Sequence, residues 1–166
     1  VVAAAEREAA GGQGVRAADR LWALASSNAS PDATPSLSVS LSTRAAELLL
    51  SSAGAESSVL GRRDELRPTL ATRADLRGEA LLLLRDAEAW SAVAHVLEDA
   101  VGAALPTEAR ARRLELVSVL RTGLEDHARA VSHLEALVDK DADDREAWGE
   151  LLECLDALGD RTRLAE

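Results

Sequence analysis

Apolar residues recur at steps of three and four along most of the chain, the spacing of one face of an α-helix. In the clearest stretch they fall at Ala130, Val131, Leu134, Leu137 and Val138. A second stripe follows at Ala147, Trp148, Leu151, Leu152, Leu155 and Leu158. Asp126 precedes the first stripe and can accept from free backbone N–H groups at a helix start. Asp143 with Glu146 three residues on fits a capping box for the second. Gly159 stands where a helix ends by turning left-handed, and Asp160 can cap the next helix. Each helix is only about four turns long and marginal in water by itself, so its stripe must be buried against a neighbour.

Upstream the same pattern is looser. Val1 to Ala10 is rich in Ala, Glu and Arg and helix-prone, and Gly11, Gly12 and Gly14 break it. Val15 to Ser26 resumes with Ala18, Leu21, Trp22 and Leu24. Ser27–Pro35 is a loop by composition. SLSVSLS at Ser36–Ser42 alternates as a strand does. So short a run with no partner strand makes a poor sheet, and RAAELLL continues directly, so a helix to about Ser52 is expected. Ala53-Gly54 then turns the chain. Ala55 to Arg67 forms a helix on Val59, Leu60 and Leu66, which Pro68 ends.

Thr72 with Asp75 is a weaker capping box for a helix through Leu76, Ala80, Leu81, Leu83 and Leu84. Asp86 caps the next, through Trp90, Val93, Ala94, Val96 and Leu97. Pro106 or Thr107 opens another, with Leu114, Leu116, Val119, Leu120 and Leu124.

Val93, Ala130 and Leu164 occupy corresponding places in successive stripes, at offsets of 37 and 34 residues. A period near 34 with two helices per unit marks a tetratricopeptide-type solenoid. The stretch Asp86–Glu166 resembles the tetratricopeptide repeat (TPR) family, and Val1–Leu70 resembles it loosely. The TPR unit has a bulky aromatic early in helix A, Leu three residues later and Gly-Asp at the hairpin turn. A small residue lies early in helix B, and Asp-Pro precedes the next unit. Trp148, Leu151, Gly159-Asp160, Ala130 and Asp141-Ala142 stand in those places. Ala142 replaces the usual Pro, and Leu or Val replaces most of the expected aromatics.

The resemblance implies an all-α solenoid of helical hairpins, a right-handed superhelix that binds protein or peptide partners through a curved surface. On this expectation residues 1–35 are a divergent hairpin plus loop, and 36–166 are TPR-like repeats, truncated at the C-terminus. A compact helical bundle is the alternative architecture. The alternative role is a helical accessory region of an enzyme or regulator.

Composition narrows the function. The chain has 166 residues and a net charge of −10, which argues against nucleic acid and against an anionic membrane surface. No apolar run approaches the roughly 20 residues that span a bilayer. Aromatic content is only 2%, so Leu, Val and Ala must supply the burial. Cys154 is the one cysteine, so no internal disulfide is possible; a reducing, cytoplasmic setting is expected. The chain lacks Met, starts inside a helix-like run and stops in another, so a segment of a larger bacterial-type protein is expected.

Candidate chemistry is thin. Asp139–Glu150, DKDADDREAWGE, places acids where a calcium-binding EF-hand loop needs them. Its sixth position is Asp144 rather than Gly, and the stripe from Trp148 requires helix there, so a turn with capping Asp residues is expected. His127 and His133 lie on different sides of a helix and His95 stands alone, so no metal pair forms. Cys154 is expected to pack as a small hydrophobe. No G-x-S-x-G occurs, and GGQG at Gly11 lacks the strand and Lys of a phosphate loop. No catalytic, cofactor or metal residue is therefore expected. Glu146, Glu150, Glu153 and Asp156 share the polar side of one helix, and Arg110, Arg112, Arg113 and Arg121 lie on an earlier one. These are expected to be solvated faces joined by cross-helix pairs, or part of a groove that selects a charged peptide.

Overall fold

The computed structural model describes residues 2–27, 35–52 and 55–159, and among them every regular element is an α-helix. In order these are α1 (Val2–Ala10), α2 (Gly14–Ser27), α3 (Pro35–Leu50), α4 (Glu56–Gly61), α5 (Arg63–Thr72), α6 (Ala74–Asp86), α7 (Trp90–Gly102), α8 (Pro106–Thr122), α9 (His127–Val138) and α10 (Arg145–Leu158). The chain divides into two compact units, Val1–Ala92 and Val93–Glu166. No helix among the described residues is long and apolar enough to cross a membrane. The all-α class expected from the periodicity is what the chain adopts.

In the first unit α3 is the shared element, packing against α2, α4, α5 and α6. It runs as helix through the Ser/Leu alternation. Leu41, Ala45, Leu48 and Leu49 are buried at helical spacing, while Val39 is 64% exposed. Burial on a helical face thus overrides the local alternation. Gly14 sits where α2 meets α3. A Cβ there would come within 3.0 Å of the Leu48 carbonyl and 3.2 Å of Ser52 Cβ, so the close approach depends on glycine. Arg62 lies over the Trp22 ring at 5.1 Å and pairs with Asp19 at 2.8 Å. The expected boundary at residue 35 falls between α2 and α3, which pack on each other. Most of the expected Ser27–Pro35 loop, the Ala53-Gly54 turn and the Asp160 cap lie outside the described residues.

At three helix ends the structure differs from the expectation. Pro68 does not end a helix; it lies inside α5, and the break comes earlier, at Arg62. Leu66 and Leu70 flank the proline and are buried one turn apart. Burying each is worth about 1.5–3 kcal/mol, enough to offset the ~3 kcal/mol cost of an interior proline. Thr72 does not cap α6. It is the last residue of α5, and its hydroxyl donates to the Pro68 and Thr69 carbonyls at 3.2 Å. Arg73 is the N-cap residue of α6, and Asp75 is held by Arg73 at 2.7 and 3.0 Å. Asp86 does not cap α7 but closes α6.

Buried Arg77 donates to the Leu70 and Ala71 carbonyls at 3.0 and 3.3 Å, satisfying acceptors at the end of α5. The turn after α6 closes with Glu88 in the left-handed region, φ 53°. The turn after α8 does the same with Glu125, φ 53°, and the end of α10 with Gly159, φ 68°. These three stand 37 and 34 residues apart, the offsets already present in the stripes.

In the second unit α9 packs between α8 and α10. Its whole predicted stripe, Ala130, Val131, Leu134, Leu137 and Val138, is buried. Asp126 caps it, accepting from the Arg129 N–H at 3.1 Å. Pro106 opens α8, where the missing N–H of proline costs nothing. Leu116, Val117, Val119 and Leu120 form its buried face. On α10 the buried positions are Ala147, Leu151, Cys154 and Leu155. Trp148, Leu152 and Leu158, expected in the core, are each more than 40% exposed. The apolar arc is wider than the face that α9 covers. The Trp148 indole N–H is nevertheless satisfied, donating to the Ala142 carbonyl at 2.9 Å.

Candidate binding cleft

Arg110, Leu114, Val117 and Arg121 succeed one another at steps of four, three and four, so they share one face of α8. Glu146, Glu150 and Glu153 do the same on α10 at steps of four and three. These two faces meet. Arg110 reaches the start of α10: its Nε donates to Asp144 Oδ2 at 2.7 Å, and its Nη2 to Asp144 Oδ1 at 2.9 Å and Glu146 Oε2 at 2.5 Å. Eleven residues on, Arg121 pairs with Glu150 and, at 2.6 Å, with Glu153. Low numbers meet low and high meet high, so α8 and α10 run side by side in the same direction. The expected cross-helix pairs between the basic and acidic sets are therefore present at Arg110 and Arg121. Arg112 instead turns back to Glu108 and to the Ala100 carbonyl at 3.0 Å.

Between the two clamps lies a cleft of about 390 Å³. Leu114, Val117, Ser118, Arg121 and Thr122 of α8 line it, with Glu146 and Glu150 of α10. Val117 is fully buried and forms floor; Ser118 and Thr122 are exposed at the edge.

Asp144 does two jobs. Besides binding Arg110, its Oδ1 accepts from the Ala147 N–H at 3.2 Å and caps α10. This moves the expected cap by one residue, because Asp144 rather than Asp143 meets both donors. The Arg110 guanidinium, aided by the Ala147 N–H, holds the Asp144 carboxyl at about 2, below the ordinary 3.8. Arg110 in turn is held more firmly protonated by Asp144 and Glu146. Most of the other pairs here are solvated, and such pairs contribute about 0–1 kcal/mol each. Asp144 differs, with only 5% of its side chain exposed.

The remaining candidates do not come together. Among the described residues no group of three or more His, Cys, Asp or Glu could hold a metal ion. In the Asp139–Glu150 stretch, Asp144 is committed to Arg110 and to the start of α10, and residues from Arg145 on are helical. His133 is half-buried on α9; burial and the Arg113 and Arg129 charges push it down, opposed by Glu98. Cys154 is fully buried, and burial raises its thiol, opposed by Arg121. Gly12 of GGQG makes the left-handed turn between α1 and α2, φ 80°.

The cleft itself was only partly visible in sequence. The i, i+4, i+7 spacing of Glu146, Glu150 and Glu153 and the arginines of the earlier helix were there, but their facing one another depends on α9 bringing α8 beside α10. No protein-family model, curated protein or solved structure matches the chain.

Proposed function

We propose that the second unit is a TPR-like stack of helical hairpins that docks a protein or peptide segment, as one part of an interaction scaffold. The cleft between α8 and α10 carries this reading, because it lies between helices that hold equivalent places in successive hairpins. Three further features support the stack. Arg110 and Asp144 are 34 residues apart, Arg121 and Glu153 are 32, and Arg129 and its partner Glu98 are 31. The left-handed turn residues Glu125 and Gly159 recur at the same interval. α9 packs on both α8 and α10, and α8 reaches α10, the helix two places on, through Arg110 and Arg121. The right-handed superhelix belongs to this proposal, and it is confined to the second unit, since α3 of the first unit is shared among four helices.

Selection from a displayed library of short random peptides tests it. The expected result is enrichment of peptides that protect α8 and α10 from hydrogen exchange and that lose binding to Ser118→Arg, which fills the cleft. Enriched peptides indifferent to Ser118→Arg, or no enrichment at all, contradict the assignment.

A further inference from the structure

Resting on the docking role above, we propose that the α8–α10 cleft is selective for a cationic segment, one in which arginine or lysine flanks an aliphatic side chain. Four carboxylates, those of Asp144, Glu146, Glu150 and Glu153, stand at the cleft and its two ends, against two guanidiniums, Arg110 and Arg121. Four minus two leaves an excess of two negative charges. Both guanidiniums are already committed, each bridging two carboxylates. Arg121 Nε has no hydrogen-bond partner but is buried, so an anionic segment finds no exposed guanidinium free of carboxylate at either end and meets uncompensated acid.

A cationic segment finds the reverse. Glu146 and Glu153 are 63% and 67% exposed, and a carboxylate has about four acceptor sites, so each can take a second donor without releasing its arginine. Leu114, partly exposed between the two acidic ends, offers apolar contact to the aliphatic side chain, with buried Val117 beneath as the floor. The chain's net charge of −10 adds a long-range field that speeds the approach of a cation and repels an anion.

The same library, selected at low salt, separates this proposal from the docking role beneath it. Enriched peptides are expected to carry Arg or Lys beside Leu, Ile or Val, and to bind more weakly as salt is raised. Glu146→Gln and Glu150→Gln are each expected to weaken binding about two- to fivefold, the worth of one solvated ion pair. Asp144 and Glu153 still hold the two arginines in these variants, and an unchanged helical circular dichroism spectrum confirms that the fold persists. Acidic or uncharged peptides that bind the cleft, shown by loss with Ser118→Arg, overturn the cationic preference and leave the docking role standing. Absence of any cleft-dependent peptide overturns both.

Discussion

Glu88 and Glu125 stand 37 residues apart with the same backbone angle, φ 53°, each closing the turn after a helix. A non-glycine residue in this region brings its Cβ against the following carbonyl, at a cost of about 1–2 kcal/mol. Gly159 closes the next helix end without that cost, at φ 68°. Glu125→Gly is therefore expected to stabilise the second unit. The gain is up to about 1 kcal/mol once the greater freedom of glycine in the unfolded chain is subtracted. Gly159→Ala is expected to act in the opposite sense. Urea denaturation of the two variants checks both signs.

Asp144 is expected to be the costliest carboxylate to lose in the second unit. Asp144→Ala removes the α10 cap, worth about 1 kcal/mol, and strands Arg110 with Glu146 alone. Asp144→Asn keeps a competent cap but loses the charge and one of the two acceptors for Arg110, so it should cost less than Asp144→Ala. The acid side follows from the lowered carboxyl. Its contribution is complete above the ordinary 3.8 and is lost as pH falls toward about 2. Thermal melts from pH 5 to pH 2 should fall less steeply in Asp144→Asn than in the unaltered protein.

His133 acts at higher pH. Its folded form resists protonation because of burial and the Arg113 charge, with Arg129 adding to the effect and Glu98 opposing it. The unfolded chain therefore binds the proton first. Stability is full above the ordinary value of 6.5 and declines as pH falls below it. His133→Gln is expected to flatten the melting temperature between pH 7 and pH 5.

Pro68 is tolerated rather than required. Pro68→Ala returns a backbone N–H to the second turn of α5 and should stabilise the first unit by about 1–3 kcal/mol. A drop in stability would mean that the break at Arg62 depends on the proline.

The features legible in sequence and those hidden there divide on physical grounds. Ala130, Val131, Leu134, Leu137 and Val138 announced α9 because a short helix has one face to bury and α9 buries all of it. Pro106, Asp126 and Gly159 marked helix ends because each supplies a local backbone function that needs no distant partner. Where a distant group decides, the sequence was ambiguous. Asp143 and Asp144 are equally able to cap, and Arg110, 34 residues away, selects Asp144. Trp148 belongs to the apolar arc of α10, yet its exposure depends on where α9 stops covering that helix. Pro68 misled because burial of Leu66 and Leu70 outweighs the local preference. The acidic set was legible as one side of a helix and the arginines as belonging to an earlier one, but the cleft between them exists only once the hairpins pack.

A duplicated hairpin tests the stack most directly. A second copy of Pro106–Asp144, inserted after Asp144, repeats α8, α9 and the turn that follows, the 39 residues from the start of α8 to the start of α10. Small-angle scattering with circular dichroism should then show a longer, fully helical particle with unchanged helicity per residue, because each hairpin contacts only its neighbours. A loss of helicity or of cooperative unfolding would mean that α8, α9 and α10 belong to a closed core with no room for another unit.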